Sequence, residues 1–185
     1  MPDDSLRLFF ALPCPAELAS ALCQWRDALA LGGKEVPAES LHLTLAFLGQ
    51  QPRSRLPLLE RIAADISAPP LRIPLDSPFV LRHGLFGLAP QRPPAALLQL
   101  AADLHTALRE AGIPVEPRRF RPHLTLVRHA ALQPAQVDAS FCLEAQRFAL
   151  YASQDGPRGV YYRALASWPL EGVEPPAWAA RLGLR

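Results

Sequence analysis

Apolar residues along this chain follow two rhythms, one of strand length and one of helical period, and the same order of rhythms occurs twice. Leu6 to Leu12 is a short apolar run closed by Pro13. From Pro15, the residues Leu18, Leu22, Trp25 and Leu29 recur on one helical face that ends at Gly32-Gly33, which predicts a helix. A second apolar strand, Leu41 to Leu48, stops at Gly49; Leu56 to Ile66 reads as another helix and Leu71 to Leu75 as a short strand. The second half restarts the plan. Leu85-Phe86-Gly87-Leu88-Ala89-Pro90 echoes Leu8-Phe9-Phe10-Ala11-Leu12-Pro13. A helix from about Pro94 to Ala111 follows, with Leu97, Leu100, Leu104 and Leu108 in one stripe, and Pro122 leads into a further apolar strand. Phe148 to Ser153 and Val160 to Leu165 then form a hairpin around Gln154 to Gly159. Such a pattern predicts an α+β protein in which two related, mainly antiparallel sheets are each backed by helices.

The repeat carries polar residues at matching places. His42-Leu43-Thr44-Leu45 recurs as His123-Leu124-Thr125-Leu126, and Leu8 lies 34 residues before His42 where Leu85 lies 38 before His123. With five His and three Thr in 185 residues, chance gives roughly 0.08 His-x-Thr triplets, so a pair in matching positions is a signal. Residues i and i+2 of a strand share a face, so each motif presents an imidazole and a hydroxyl side by side while its leucines face the core. Two histidines in one cleft can divide into one protonated and one neutral member near neutral pH, enough to run an in-line displacement at phosphorus. The threonine hydroxyls are placed to donate to the non-bridging oxygens. His83 and His105 stand outside the repeat and read as packed strand or helix residues.

Composition narrows the partners. A formal charge of +2 is short of an extended nucleic-acid clamp and suits a small or terminal anionic ligand. Eighteen of the 19 basic residues are Arg, with Lys34 the exception, so no single Arg stands out by type alone. Cys14, Cys23 and Cys142 are odd in number and lack C-x-x-C spacing, the pattern of buried reduced thiols in a cytoplasmic protein. The acidic opening Met1-Pro2-Asp3-Asp4 is unlike a signal peptide, and no apolar run reaches the length of a membrane span, so no membrane partner is expected. His129, six residues past His123, lies too far along an extended strand to share an ion with it, and no Asp, Glu or Cys lies within three residues of either motif histidine. Neither a metal nor another cofactor is therefore expected. A G-x-S-x-G elbow and a P-loop are both missing.

With these residues in place, the sequence resembles the 2H phosphoesterases, a family built on two His-x-Thr/Ser-x motifs, and within it the bacterial RNA 2′,3′-cyclic phosphodiesterases, also described as 2′-5′ RNA ligases. The resemblance runs through Arg7-Leu8-Phe9-Phe10-Ala11-Leu12, Leu41 to Gly49, Phe120 to Arg128, Leu150-Tyr151-Ala152-Ser153 and Trp168-Pro169-Leu170. It implies one bilobal domain over residues 1–185, with a central cleft lined by the motif strands, and metal-independent opening of a 2′,3′-cyclic phosphate to a 2′-phosphomonoester. By motif, His42 would protonate the leaving O3′, His123 would activate water, and Thr44 and Thr125 would hold the phosphate. Arg128 and Phe10 would contact the terminal base or the RNA. The implied partners are RNA with a 2′,3′-cyclic phosphate terminus, tRNA ends among them, or 2′,3′-cyclic nucleotides, met by a monomer. Two alternatives share these residues: ligation in the reverse direction, and a nucleotide or RNA-end binding module without turnover. The segment Gly33-Lys34-Glu35-Val36-Pro37 departs from the family's pattern, having no Arg-Trp pair.

Overall fold

The computed structural model describes residues 4–132, 137–156 and 159–172. Its elements run β1 (Ser5–Pro13), α1 (Ala16–Ala28), β2 (Lys34–Glu35), β3 (His42–Pro52), α2 (Leu56–Ala64), β4 (Leu71–Leu75), β5 (Ser77–Leu81), β6 (Leu85–Ala89), α3 (Ala95–Glu110), β7 (Leu124–Arg128), β8 (Phe141–Ala145), β9 (Arg147–Gly156) and β10 (Gly159–Pro169). Strands pair in the order β10-β9-β1-β3-β7-β6-β5, all antiparallel, with β2 also on β7; β4 and β8 form a separate two-stranded sheet.

The α+β class and the repeated strand, helix, strand plan are both present. The two sheets expected from the repeat are joined edge to edge, and the joint is narrow: β3 and β7 pair only through Leu43 and Leu124. Both leucines are fully buried, so an apolar contact holds the joint where ladder hydrogen bonds are few. Around it the helices close the core. Leu97, Leu100, Leu104 and Leu108 of α3 are buried, each contributing roughly 1.5–3 kcal/mol through removal from water. Prolines precede α1 and α3 at Pro15 and Pro94, where their fixed φ starts a helix and their missing N–H is no loss.

Three strands escaped the sequence pattern. Lys34–Glu35 is two residues long and exposed, Ser77–Leu81 is half-buried around Pro78, and Phe141–Ala145 alternates weakly. None carries enough apolar periodicity to stand out from loop. In the expected turn of the final hairpin, residues 157 and 158 lie outside the described set. The three cysteines are free and half-buried; burial pushes the Cys14 thiol up to about 12 and also raises that of Cys23, so both stay protonated and unreactive. Among the described residues, no helix is long and apolar enough to cross a membrane.

Candidate active site

The motif strands deliver their polar residues to one cavity. His42, Thr44, His123, Thr125 and Arg128, with Val36, Ser40 and Leu85, line a cavity of about 140 Å³, while Leu43, Leu45, Leu124 and Leu126 are buried on the other face. This is the strand alternation expected from the sequence. His42 opens β3, and His123 immediately precedes β7.

Both imidazoles are anchored alike. His42 Nδ1 lies 2.7 Å from the Ser40 carbonyl oxygen and His123 Nδ1 lies 2.9 Å from that of Arg121. A carbonyl only accepts, so each Nδ1 carries the proton and donates it. Nε2 of each ring is thereby left as the atom that can take or give a proton to a ligand, the arrangement an acid–base pair needs. In each case the accepting carbonyl lies two residues upstream, and a short rigid stretch supplies it: the 3₁₀ turn Ala38–Ser40 after Pro37, and the extended lead-in through Pro122.

Their surroundings differ. The His42 ring lies 4.9 Å from the Phe9 ring and 5.0 Å from Tyr162, edge-on to the latter, with Tyr151 stacked on Phe9 at 5.4 Å. Desolvation in this aromatic nest pulls the His42 pKa below the ordinary imidazole value, the Ser40 carbonyl works against the shift, and the Arg128 and His123 charges add to it. Among the described residues His123 meets one ring, Phe79, edge to face at 5.6 Å. Phe79 sits across from Gly87 in the β5–β6 pair, and Gly87 sits across from Thr125. A Cβ on Gly87 would run into the Leu124 carbonyl and come within 2.9 Å of Phe79 Cζ, so only glycine lets that ring cross to the histidine.

A second cavity of about 350 Å³ adjoins the first on the His42 side, walled by Arg7, Phe9, Lys34, Phe47, Arg128 and Tyr162 among others. Its shape depends on a β-bulge. Between Phe10 and Ala11 the register slips by one residue against β3, which reverses the alternation, so Phe47 faces this cavity and is 40 % exposed. Without the extra residue, strand parity would turn Phe47 toward the core. Arg7 covers the Phe47 ring with its guanidinium 5.1 Å from the ring centroid, a cation–π contact. Opposite stands the segment that departs from the family's pattern: Lys34 pairs with Arg128 and Glu35 with Val127. The segment is held by Arg26, which is buried and donates to the Val36 carbonyl at 2.6 Å and to Glu35 at 3.5 Å.

The structure thus brings together His42, His123, Thr44, Thr125 and Arg128. Phe10 is a correction: it is 0 % exposed, packed on Phe148 and Trp168, because its strand parity points it into the core and gives the cavity to Phe9. His83 is a second correction, being exposed in the turn Arg82–Gly84 with φ of 64°. His105 is half-buried and donates from Nε2 to the Leu45 carbonyl at 2.9 Å, as expected of a packed histidine. Sequence reasoning missed the nest of Phe9, Tyr151 and Tyr162, which β1, β9 and β10 bring together only through their pairing. Among the described residues, no group of three or more His, Cys, Asp and Glu side chains is disposed to hold a metal ion.

Two anchored imidazoles, each with a hydroxyl two residues on, form an arrangement that can move protons at a bound anion. Comparison with known proteins agrees. The 2′-5′ RNA ligase superfamily matches residues 14–153. An RNA 2′,3′-cyclic phosphodiesterase of Escherichia coli is 34% identical over 89% of this chain and 96% of its own length, and one of Thermus thermophilus is 32% identical over 90% and 91%. The crystal structure of E. coli LigT complexed with 3′-AMP superposes with a TM-score of 0.83 at 33% identity, covering 90% of this chain and 98% of that one. The chain belongs to the 2′-5′ RNA ligase superfamily.

Proposed function

We propose that this protein is an RNA 2′,3′-cyclic phosphodiesterase that opens the cyclic phosphate to a 2′-phosphomonoester. The observation that carries this reading is the matched pair of Nδ1-anchored imidazoles in one cavity, each flanked by its threonine. Water attacks phosphorus in line with the P–O3′ bond. His123 takes the proton from water through Nε2, the P–O3′ bond breaks, and His42 gives its proton to O3′. The products are a 2′-phosphate and a free 3′-hydroxyl, and no covalent intermediate is required. Thr44 and Thr125 donate to the non-bridging oxygens as charge builds there. Arg128, which lines both cavities, balances the phosphate charge and packs against the terminal base in the larger cavity. The similarity to a protein crystallised with 3′-AMP supports a nucleotide in this cleft. Burial disfavours the His42 imidazolium in the free protein, and the incoming anionic phosphate, which favours the charged form, works against that shift. The protein works in this reading as a cytoplasmic monomer on RNA ends, those of tRNA among them.

The test is incubation of a 2′,3′-cyclic phosphate RNA end with the wild-type protein and with His42→Ala and His123→Ala, with and without EDTA, and identification of the product. A 2′-phosphate formed at the same rate in EDTA, and lost in both variants, is the expected result. A 3′-phosphate, or binding without turnover, overturns the reading.

A further inference from the structure

Apart from the catalytic cleft, the side-chain cluster with the most uniform charge lies in a groove between α3 and the loop that leads into the second motif. Arg109, Arg118, Arg119 and Arg121 all line it, with His105 at one side, and no aspartate or glutamate does. In a chain with 19 basic and 17 acidic residues, four arginines without a carboxylate in the same lining are a strong local excess. All four are exposed. Among the described residues, the ion pairs include Arg118 with Glu116, Nε to Oε1 at 2.8 Å, and none for Arg109, Arg119 or Arg121. The groove, of about 700 Å³, also offers apolar surface: Leu98 is 39 % exposed in it and Phe120 is half-buried.

Its position connects it to the cleft. Arg121 contributes the carbonyl that anchors His123, and Pro122 joins the two residues directly. On the other side, Ala89 and Pro90 of the lining follow Leu88, which pairs with Leu124 of β7. The groove and the cleft thus share the loop that ends at His123, although no described residue lines both. We infer that the groove takes the RNA strand on the 5′ side of the cyclic phosphate, with Arg109, Arg118, Arg119 and Arg121 on successive phosphates and the apolar floor under the bases. Alternation of guanidinium and apolar surface is the means by which single strands are held without sequence preference. This inference rests on the proposed function, since it supplies the rest of the substrate whose end the cleft would process.

The experiment compares adenosine 2′,3′-cyclic phosphate with a short oligoribonucleotide ending in the same cyclic nucleotide, using wild type, Arg109→Ala/Arg119→Ala and Arg109→Lys/Arg119→Lys. For the oligonucleotide, the double alanine variant raises KM by roughly tenfold or more at low salt and flattens the log–log salt dependence by about 1 per arginine removed. Its kcat/KM for the mononucleotide stays within twofold of wild type, and the lysine variant recovers most of the loss. A KM for the oligonucleotide unchanged by the alanines, or an equal loss on both substrates, overturns the inference. Fluorescence anisotropy of a labelled oligonucleotide ending in a 2′-phosphate separates the two readings. Arginine-dependent binding by a protein that hydrolyses neither substrate upholds the groove while the proposed reaction fails. Hydrolysis of both substrates with no arginine-dependent binding removes the groove alone. Displacement of the labelled RNA by polyglutamate as readily as by unlabelled RNA would also overturn it, marking a surface for acidic protein.

Discussion

One tetrapeptide occupies two environments in this molecule, and the contrast between them shows where function is set. At the first copy the imidazole lies in a nest of Phe9, Tyr151 and Tyr162, at the mouth of a cavity of about 350 Å³. At the second, among the described residues, the ring has Phe79 as its aromatic neighbour. Both rings are anchored through Nδ1 to a carbonyl two residues back, so tautomer and aim are common to the pair. The motif therefore fixes how each histidine is presented, and the neighbouring strands decide how far His42 is desolvated.

The sharpest way to break the comparison is to delete each member. His42→Ala and His123→Ala should each lower turnover by roughly 10²- to 10⁴-fold, with circular dichroism confirming the fold. Their residual pH profiles carry the division of labour. In His123→Ala, activity depends on the protonated fraction of His42, so it should fall with rising pH through a midpoint below the ordinary imidazole value, as desolvation of His42 requires. In His42→Ala the residual activity should instead rise with pH. Opposite slopes would exchange the roles of donor and base.

Next in size, Thr44→Val and Thr125→Val keep the branched shape and remove a donor, and turnover should drop by roughly 10- to 1,000-fold at each site. Melting temperature serves as the control, since a large fall with normal turnover per folded molecule would make these residues structural. Gly87→Ala targets the second half-site through its backbone. Overpacking of about 1–3 kcal/mol should lower the melting temperature, and turnover should fall with it, because Phe79 and Leu124 must both move; an unchanged melting temperature would contradict the contact geometry.

Smallest is the effect of loosening the nest. Phe9→Leu removes the ring closest to His42 and admits water, so the His42 pKa should rise toward its ordinary value. The measurable result is a shift of the falling limb to higher pH in the His123→Ala background, with kcat changed by only a few-fold. An unmoved limb would mean that Arg128, rather than the aromatic rings, depresses that pKa.

Much of this was legible in the sequence because the relevant signals are local. His42 and Thr44, like His123 and Thr125, share a strand face by spacing alone, and the leucine stripe of α3 announces a buried helix. The aromatic nest was not legible, for it gathers residues from β1, β9 and β10 whose registers no local pattern specifies. Phe10 shows the same limit at its smallest scale. In Phe9-Phe10 two like residues adjoin, both lie in an apolar run, and only the pairing of β1 with β3 and β9 decides which one faces the cavity. The bulge that turns Phe47 outward is of this kind too, since one extra residue in a ladder leaves no mark in composition. Arg118, Arg119 and Arg121 stand together in the sequence, and it is the packing of α3 beside the lead-in loop that adds Arg109 to them.

The narrow joint at Leu43 and Leu124 has a consequence for how such a site could have arisen. Two separate copies of a half-length chain, paired across that joint about a two-fold axis, would present two identical histidines in identical surroundings. A symmetric pair could still hold one proton between its members, but the surroundings would favour neither imidazole for giving it or for taking it. Once the copies are continuous in one polypeptide, each half can accept substitutions that the other does not share: three aromatic rings around His42, a glycine and an open flank beside His123. Covalent fusion is thus what allows the two halves of this cleft to specialise.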